Sequence, residues 1–455
     1  MTDAGAAPKP KLTLWVWIWA VVIFMTGRPF AMQLAGIDPS GSVNQLGKPY
    51  GDYLHYAITL AVVGLVVQRG KFEQVVRTSF SAPMLLVFVA LAIASAAWSV
   101  EPYATVRAGF AFAGTVFCFA AAITLLPRVD SIRALLLAMS LSVVLSVVWS
   151  LAVPHYGQHD TNDIYQASHV GKWRGLYNHK NILGQVAGVT VGALIYAGGQ
   201  LLPRHIRFPA IAAGLLCLAF AQSASGLLIA AAGFGFGVAL FRLTGYARWV
   251  AITVGLLGCI LLSGAGSEVL SSILVALGKS PTFSGRTVLW AAASQLIADR
   301  WLLGYGLASI TDLSITNVFL AVNGEVHDAH NSYLELAIAL GLSGLFLHLL
   351  LVLDAVVKGM RARMSAAAAI GRRALLLIVI MWFLAALSEA APFIPGGPVE
   401  AFALFAVMWL SSSGLASART ISFGRSSSST SEQAQLSVRR SGSKKGKRSR
   451  TVELD

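Results

Sequence analysis

"GEVHDAHNSYLELAIALGLSGLFLHLLL" (residues 324–351) begins polar and turns almost wholly apolar within ten residues. That transition decides the solvent in which the chain folds. A helix needs about 20 apolar residues to cross a bilayer. Runs of this kind recur along most of the 455 residues, of which 56% are hydrophobic and 12% charged. A soluble domain carries about twice that charged fraction. Without water, every backbone polar group must find a partner inside the chain, which favours helices. The expected fold is an all-α polytopic membrane protein of about 12 transmembrane helices, by the length criterion. They fall at 12–30, 53–68, 82–98, 104–126, 133–153, 180–200, 206–222, 226–243, 246–263, 332–355, 371–391 and 399–414. No internal repeat is visible. The opening "MTDAGAAPKPKLTLWVWIWAVVIFMTG" has a basic start and no small-residue cleavage site, so it reads as an uncleaved first span.

The formal charge of +14 resembles a nucleic-acid signal, but its location excludes that class. Nine of the 34 Lys and Arg lie after residue 414, mostly in "RRSGSKKGKRSR" (439–450). The expected division is a membrane domain over 1–414 and a basic, Ser-rich, disordered cytoplasmic tail over 415–455, lying near anionic membrane lipids. The tail also offers a docking segment for a cytoplasmic chain-length regulator, a partner the sequence does not itself specify. Cys118, Cys217 and Cys259 sit singly inside apolar runs and read as packing residues, without disulfide or metal spacing.

Orientation follows from the positive-inside rule. With the N-terminus inside, the inner segments hold sixteen Lys and Arg and the tail nine more. The nine others fall outside: Arg28, Lys48, Arg107, Lys172, Arg174, Lys180, Lys279, Arg286 and Arg300. Both termini are then cytoplasmic. Two outer loops, 154–180 and 264–331, are far longer than the rest and hold six of the nine histidines. Helical apolar spacing over 268–278 and 286–300 predicts short helices on the membrane surface. Long ordered loops tend to be functional, so the chemistry is expected to face outward.

Arg174, Lys180 and Arg286 oppose the positive-inside bias and lie at or near predicted helix starts. A cation there opposes the helix macrodipole, a conflict that a bound anion such as a phosphate relieves. "SYLE" (332–335) fits a capping box in which Ser332 caps the helix and Glu335 reaches back. His330 then lies at the positive end of that helix, whose field favours a neutral ring suited to general-base work. Asn331 is placed to position a hydroxyl or hold the loop. Zinc is the competing reading for His327 and His330, with Asp328 or Glu325 nearby, but no HExxH pattern or cysteine ligand supports it. His348, alone in mid-span, reads as a packed interior residue.

These segments resemble the O-antigen ligase/polymerase superfamily of bacterial surface-polysaccharide enzymes, and within it the exopolysaccharide-polymerase branch. "KWRGLYNHKNILGQ" (172–185) resembles its arginine–glycine–asparagine element, which covers Arg174, His179, Lys180 and Asn181. "GKSPTFSGRTVLW" (278–290), "WLLGYGL" (301–307, with Tyr305) and "HDAHNSYLELAIALGLSGL" (327–345) resemble three more. "WSVEPYATVRAG" (98–109) and "QSASG" (222–226) resemble further features of the branch. The resemblance implies inverting glycosyl transfer from a polyprenyl-diphosphate-linked oligosaccharide at the outer face of the bacterial inner membrane, with no nucleotide, metal or other cofactor. Carried over by position, Arg174 and Arg286 hold the donor diphosphate and His330 activates the acceptor hydroxyl. His327, Asn331, Lys180, Asn181, His179 and Tyr305 line the substrate. Ser280 departs from the acidic residue common in the branch, a place that Glu268 or Asp312 is available to fill.

The nearest alternative is a ligase of the same superfamily acting on lipid A core or on a protein. From another class, a secondary transporter or flippase matches the span number. Transporters, however, tend to show repeated halves and ionisable residues near mid-membrane, whereas Asp354 and Glu389 lie near predicted span ends.

Overall fold

The structure is a computed structural model, and it describes residues 12–30, 33–34, 50–161, 169–263, 286–323, 328–361, 364–387 and 397–413. It is built from helices: α1 (Leu14–Thr26), α2 (Tyr50–Gln68), α3 (Phe72–Ser79), α4 (Pro83–Ala94), α5 (Pro102–Leu125), α6 (Arg128–Ala152), α7 (Lys180–Tyr196), α8 (Arg204–Ala221), α9 (Ala224–Arg242), α10 (Gly245–Ser263), α11 (Arg286–Asp299), α12 (Leu313–Asn323), α13 (Ser332–Arg361), α14 (Ala366–Ala386) and α15 (Pro398–Ser413). No β-strand occurs among the described residues; Gln158 and Trp173 form an isolated antiparallel bridge.

Each of the twelve apolar runs coincides with a helix. Seven of these helices are long and apolar enough to cross a membrane, or eight if the bent pair Phe72–Ser79 and Pro83–Ala97 is one span. That pair turns by 89°, because the polar α3 carries Glu73 and Arg77 while α4 is almost wholly apolar. The expected helix over 268–278 and the basic tail lie outside the described residues, as do Glu389 and Lys48.

The interior follows from composition. α15 is buried all round, with Phe402, Phe405 and Trp409 fully enclosed, as a helix apolar on every face must be. Its end is tied down where Trp409 Nε1 donates to Ser131 Oγ (3.1 Å) and Arg128 donates to the Ser412 carbonyl (2.8 Å). Cys118 and Cys217 are buried free thiols. His348 is buried among Phe88, Tyr333 and Trp382, the packing expected of it. α7 and α9 approach most closely where both are glycine. A Cβ on Gly226 would lie 2.6 Å from the Gly184 Cα, the small-residue contact that lets membrane helices pack.

The segments that the charge rule assigns to one face meet one another. Lys358 donates to the Ser81 carbonyl and pairs with Asp354 at 2.7 Å, and Arg133 donates to the Leu201 carbonyl. Segments assigned to the opposite face meet likewise: Arg28 and Arg107 share Asp52, and Ser223 donates to Asn181.

One helix is not what its sequence suggests. α13 is broken at Gly341, whose backbone is left-handed (φ 67°, ψ −172°). A nine-residue piece, 332–340, therefore separates His330 from the membrane-length piece that follows. The break is closed by a second chain segment. Tyr305 N and Gly306 N donate to the carbonyls of Ile338 and Ala339 (2.9 and 2.8 Å), while Leu342 N donates to the Trp301 carbonyl (2.7 Å). Loop 301–306 thus repairs backbone bonds that the kink opens, as a buried backbone requires. It is held in turn by Trp98 Nε1 on the Leu303 carbonyl and by Val100 N on the Tyr305 carbonyl, both at 3.0 Å.

Replacing Gly341 with Ala is expected to cost about 2 kcal/mol or more, from the left-handed backbone and from a Cβ driven into the Leu302 carbonyl. Gly64, with nothing within 4 Å of an added Cβ, is the control; its alanine variant should keep the parent melting temperature in detergent while Gly341→Ala melts lower.

Candidate functional site

Four helix ends frame the site: the starts of α7, α9 and α13, and the end of α8. His179 is the N-cap of α7, its Nδ1 accepting from Asn181 N at 3.1 Å. His159 accepts the neighbouring donor, Lys180 N, on Nε2 at 3.2 Å. Two imidazoles thereby satisfy two of the N–H groups that a helix start leaves without intrahelical partners. His169 completes a cluster whose ring centroids lie 5.4–5.6 Å apart. Burial holds His179 well below the ordinary imidazole range, and the neighbouring His159, His169, Lys180 and His330 push the same way. His330 is thus within electrostatic range of the cluster.

Ser223 caps α9 by accepting Gly226 N (3.1 Å) and donates to Asn181 Oδ1 (3.0 Å), so the second residue of α7 is locked to the start of α9. Lys180 Nζ donates to Asn181 Oδ1 and to the Gln222 carbonyl, both at 3.3 Å. Gln222 is the left-handed C-cap of α8 (φ 48°). The ammonium therefore faces the negative end of one dipole while sitting at the positive end of another. The structure thus relieves the macrodipole conflict at Lys180 without needing a bound anion.

Arg174 has the same outcome. It is 1% exposed, with Nε donating to the Tyr156 carbonyl (2.8 Å) and a terminal nitrogen to the His155 carbonyl (2.9 Å). Its backbone N bonds the Gly157 carbonyl. A guanidinium so engaged clasps the 155–157 turn. Trp173 stacks on Phe220, centroids 4.5 Å apart, fixing the same loop to α8.

The turn before α13 carries the densest constraint. Asn331 is the cap, its Oδ1 accepting from Tyr333 N (3.0 Å) and Leu334 N (3.3 Å). The capping box drawn on Ser332 and Glu335 is one residue out of register: both side chains are buried in the first turn. His330 is held in left-handed backbone (φ 46°), a conformation histidine tolerates better than most residues. Asp328 Oδ1 accepts His330 N (2.8 Å) and lies 3.2 Å from His330 Nδ1. A carboxylate there favours the proton on Nδ1 and leaves Nε2 as the acceptor. Trp290 Nε1 donates to the Ala329 carbonyl at 3.0 Å, adding a third tether.

Arg286 opens α11 one turn before Trp290, on the same face of the helix; its side chain lies outside the described residues, as does all of His327. The helix expected over 286–300 is thus present, and α11, α12 and the start of α13 share a small core of Leu289, Leu296, Phe319 and Ile338. Tyr305 packs on that core beneath Arg300, 4.6 Å from its ring. Asp312 caps α12 through Ser314, whose hydrogen bonds hold its carboxyl below the usual range and so keep it ionised. Ser280 and Glu268 lie outside the described residues.

Residues 209–349 match the family model described as O-antigen ligase. The matched segment includes Ser223, Trp290, the 301–306 loop, His330 and Gly341, and begins after Arg174 and Lys180. It agrees with the resemblance to the O-antigen ligase/polymerase superfamily and supports a membrane glycan ligase or polymerase type of function. No curated protein matches the chain.

The sequence reading passed over His159 and His169, and gave Asp328 only a metal ligand's role. The Asp-x-His spacing was the available signal, since an Asp side chain commonly accepts the backbone N–H two residues on. Because His179 caps a helix as a neutral acceptor, acid should loosen the fold. The unfolded imidazole titrates near 6.5 and the folded one lower. Below that pH the unfolded state binds a proton that the folded state refuses, so stability falls as pH falls. The melting temperature should drop between about pH 7.5 and 5.5, and His179→Asn, which keeps a capping acceptor, should flatten the slope.

Proposed function

We propose that this protein polymerises lipid-linked oligosaccharide repeat units into exopolysaccharide, by inverting glycosyl transfer from a polyprenyl diphosphate at the outer face of the bacterial inner membrane. In this reading the chain crosses the membrane twelve times, with both termini and the tail from 415 in the cytoplasm and the 154–180 and 264–331 loops outside. The observation that carries the mechanism is His330 with Asp328 on its Nδ1, at the start of the broken α13.

A sugar hydroxyl is a weak nucleophile. His330 Nε2 takes its proton as the oxygen attacks the anomeric carbon, and Asp328 stabilises the imidazolium that forms. The bond from that carbon to the lipid diphosphate breaks, and the diphosphate leaves with the electron pair. Arg286, at the positive start of α11, holds the leaving group directly. The buried charges of Lys180 and Arg174 and the starts of α7 and α9 add a field that favours the anion. Arg174 acts through the loop it clasps. The neutral face of the cluster, His179 with Asn181 and Asn331, borders the sugars, and Tyr305 holds the wall behind them. None of these steps calls on a metal.

A ligase acting on lipid A core or protein would use the same donor chemistry and the same histidine. A deletion strain separates the two: loss of a polymerase leaves single repeats, whereas loss of a ligase leaves long chains on the lipid carrier.

The assay is purified full-length protein with a synthetic lipid-diphosphate oligosaccharide in chelator, followed by product length. The parent should elongate it. His330→Ala should lower kcat by about 10²–10⁴, the range of general-base catalysis, with the protein still in the membrane. Asp328→Asn should lower kcat about ten-fold or more at unchanged KM, the pattern of an interaction realised only in the transition state. Normal polymer from His330→Ala would remove the histidine from the mechanism.

A further inference from the structure

A second charged site lies away from His330, where α2 and α5 run side by side. Tyr56 donates to the Arg107 carbonyl (2.8 Å), and His55 Nε2 contacts the Ala111 carbonyl (3.0 Å) and Thr115 Oγ1 (3.2 Å). Asp52 pairs with Arg107 and, seven residues on, Thr59 lies against Gly114 and Cys118, so the helices are parallel and both N-terminal ends lie at one level. Between them opens a groove of about 710 Å³, lined along α2 by Tyr53, Tyr56 and Leu60 and along α5 by Val106, Phe110 and Phe117. From Val106 to Phe117 it follows α5 for about 16 Å, at 1.5 Å per residue. Small residues at its floor, Ala113 and Gly114, set its depth.

An apolar wall facing lipid holds no particular lipid. This groove is distinguished by its head. Arg28 and Arg107 both bond Asp52, at 3.0 and 2.8 Å, and two guanidinium groups on one carboxylate leave a net positive charge. Both cations are partly open, 29% and 36% exposed, while Asp52 is 11% exposed. Two parallel helix starts add their positive ends. Tyr53 and Tyr103, 58% and 76% exposed, stand beside this head as interfacial aromatics do. The head is complementary to phosphate and the groove to a hydrocarbon chain.

The head is also joined to the machinery around His330. Two residues before Arg107, Thr105 accepts Ala308 N at 3.3 Å and contacts Ser99 at 2.8 Å, and Val100 N bonds the Tyr305 carbonyl. The start of α5 is therefore fastened to the loop that closes the break in α13.

We infer that the α2–α5 groove holds the lipid carrier of the acceptor: a polyprenyl diphosphate whose chain lies along Phe110 and Phe117 and whose diphosphate meets Arg107 and Arg28. The inference rests on the polymerase reading. Transfer onto a lipid-linked acceptor needs two lipid diphosphates bound at once, and the Arg286 and Lys180 region accounts for one. No bond is made or broken at the second, which anchors the acceptor while its distal sugar reaches His330.

Native mass spectrometry of the full-length protein in detergent, with undecaprenyl diphosphate as probe, tests this. The parent should bind two copies. Ala113→Phe, which fills the groove, and Arg107→Gln, which neutralises the head, should each bind one. Each should raise the acceptor KM about ten-fold or more, a loss of about 1.4 kcal/mol, with the donor KM unchanged. Neither excess phosphatidylglycerol nor inorganic diphosphate should displace the second copy. Two copies on both variants, or displacement by phosphatidylglycerol as readily as by the probe, would overturn the groove assignment alone. A parent that binds none would overturn the polymerase reading with it.

Discussion

The break in α13 at Gly341 is the constraint around which the rest is arranged. A helix interrupted at membrane depth exposes carbonyls and N–H groups that lipid cannot satisfy. Here the 301–306 loop supplies the missing bonds from its own backbone. That loop can approach so closely because Gly304 and Gly306 take positive φ (66° and 103°) and carry no Cβ to meet Ile338 or Ser99. The 98–105 segment then locks the loop from behind. Interrupting α13 frees a short helical piece whose positive end is fixed by Asn331, Trp290 and Asp328, with His330 between them. A continuous helix would carry His330 on an unrestrained terminus.

Backbone and amide dipoles hold the cations of this region. Arg174 binds two carbonyls, and Lys180 binds an amide oxygen and the carbonyl at the end of α8. His179 and His159 do the complementary work at the start of α7, accepting N–H groups of its first turn. An arrangement of this kind suits a leaving group that is already a dianion and departs with more charge.

Much of this was legible in the sequence. Apolar runs placed every long helix, because a bilayer leaves the backbone one economical solution. The pattern of Lys and Arg sorts the loops into two sets, and contacts such as Lys358 with Ser81 and Arg107 with Asp52 join members of one set. The 154–180 and 264–331 segments stand out by length, and His330 and Asn331 by their position at a helix start. Other features were hidden because they depend on partners remote in sequence. That Arg174 is clasped by residues 155 and 156 follows from a turn no pattern announces. The backbone of Tyr305 braces Ile338 and Val100, a task its side-chain type does not announce. The same holds for Gly341, which in sequence is one small residue among several in a membrane helix. Its left-handed φ emerges only when the 301–306 loop is in place.

The anomeric configuration of the bond made by the purified protein tests the account at its centre. If an Asp328-backed His330 activates the acceptor for direct attack, the donor's configuration inverts in a single displacement. Nuclear magnetic resonance of the elongated product should therefore show the configuration opposite to that of the lipid-linked donor. Retention would require two displacements through a covalent glycosyl-enzyme, and would contradict a mechanism in which the histidine acts only as a base.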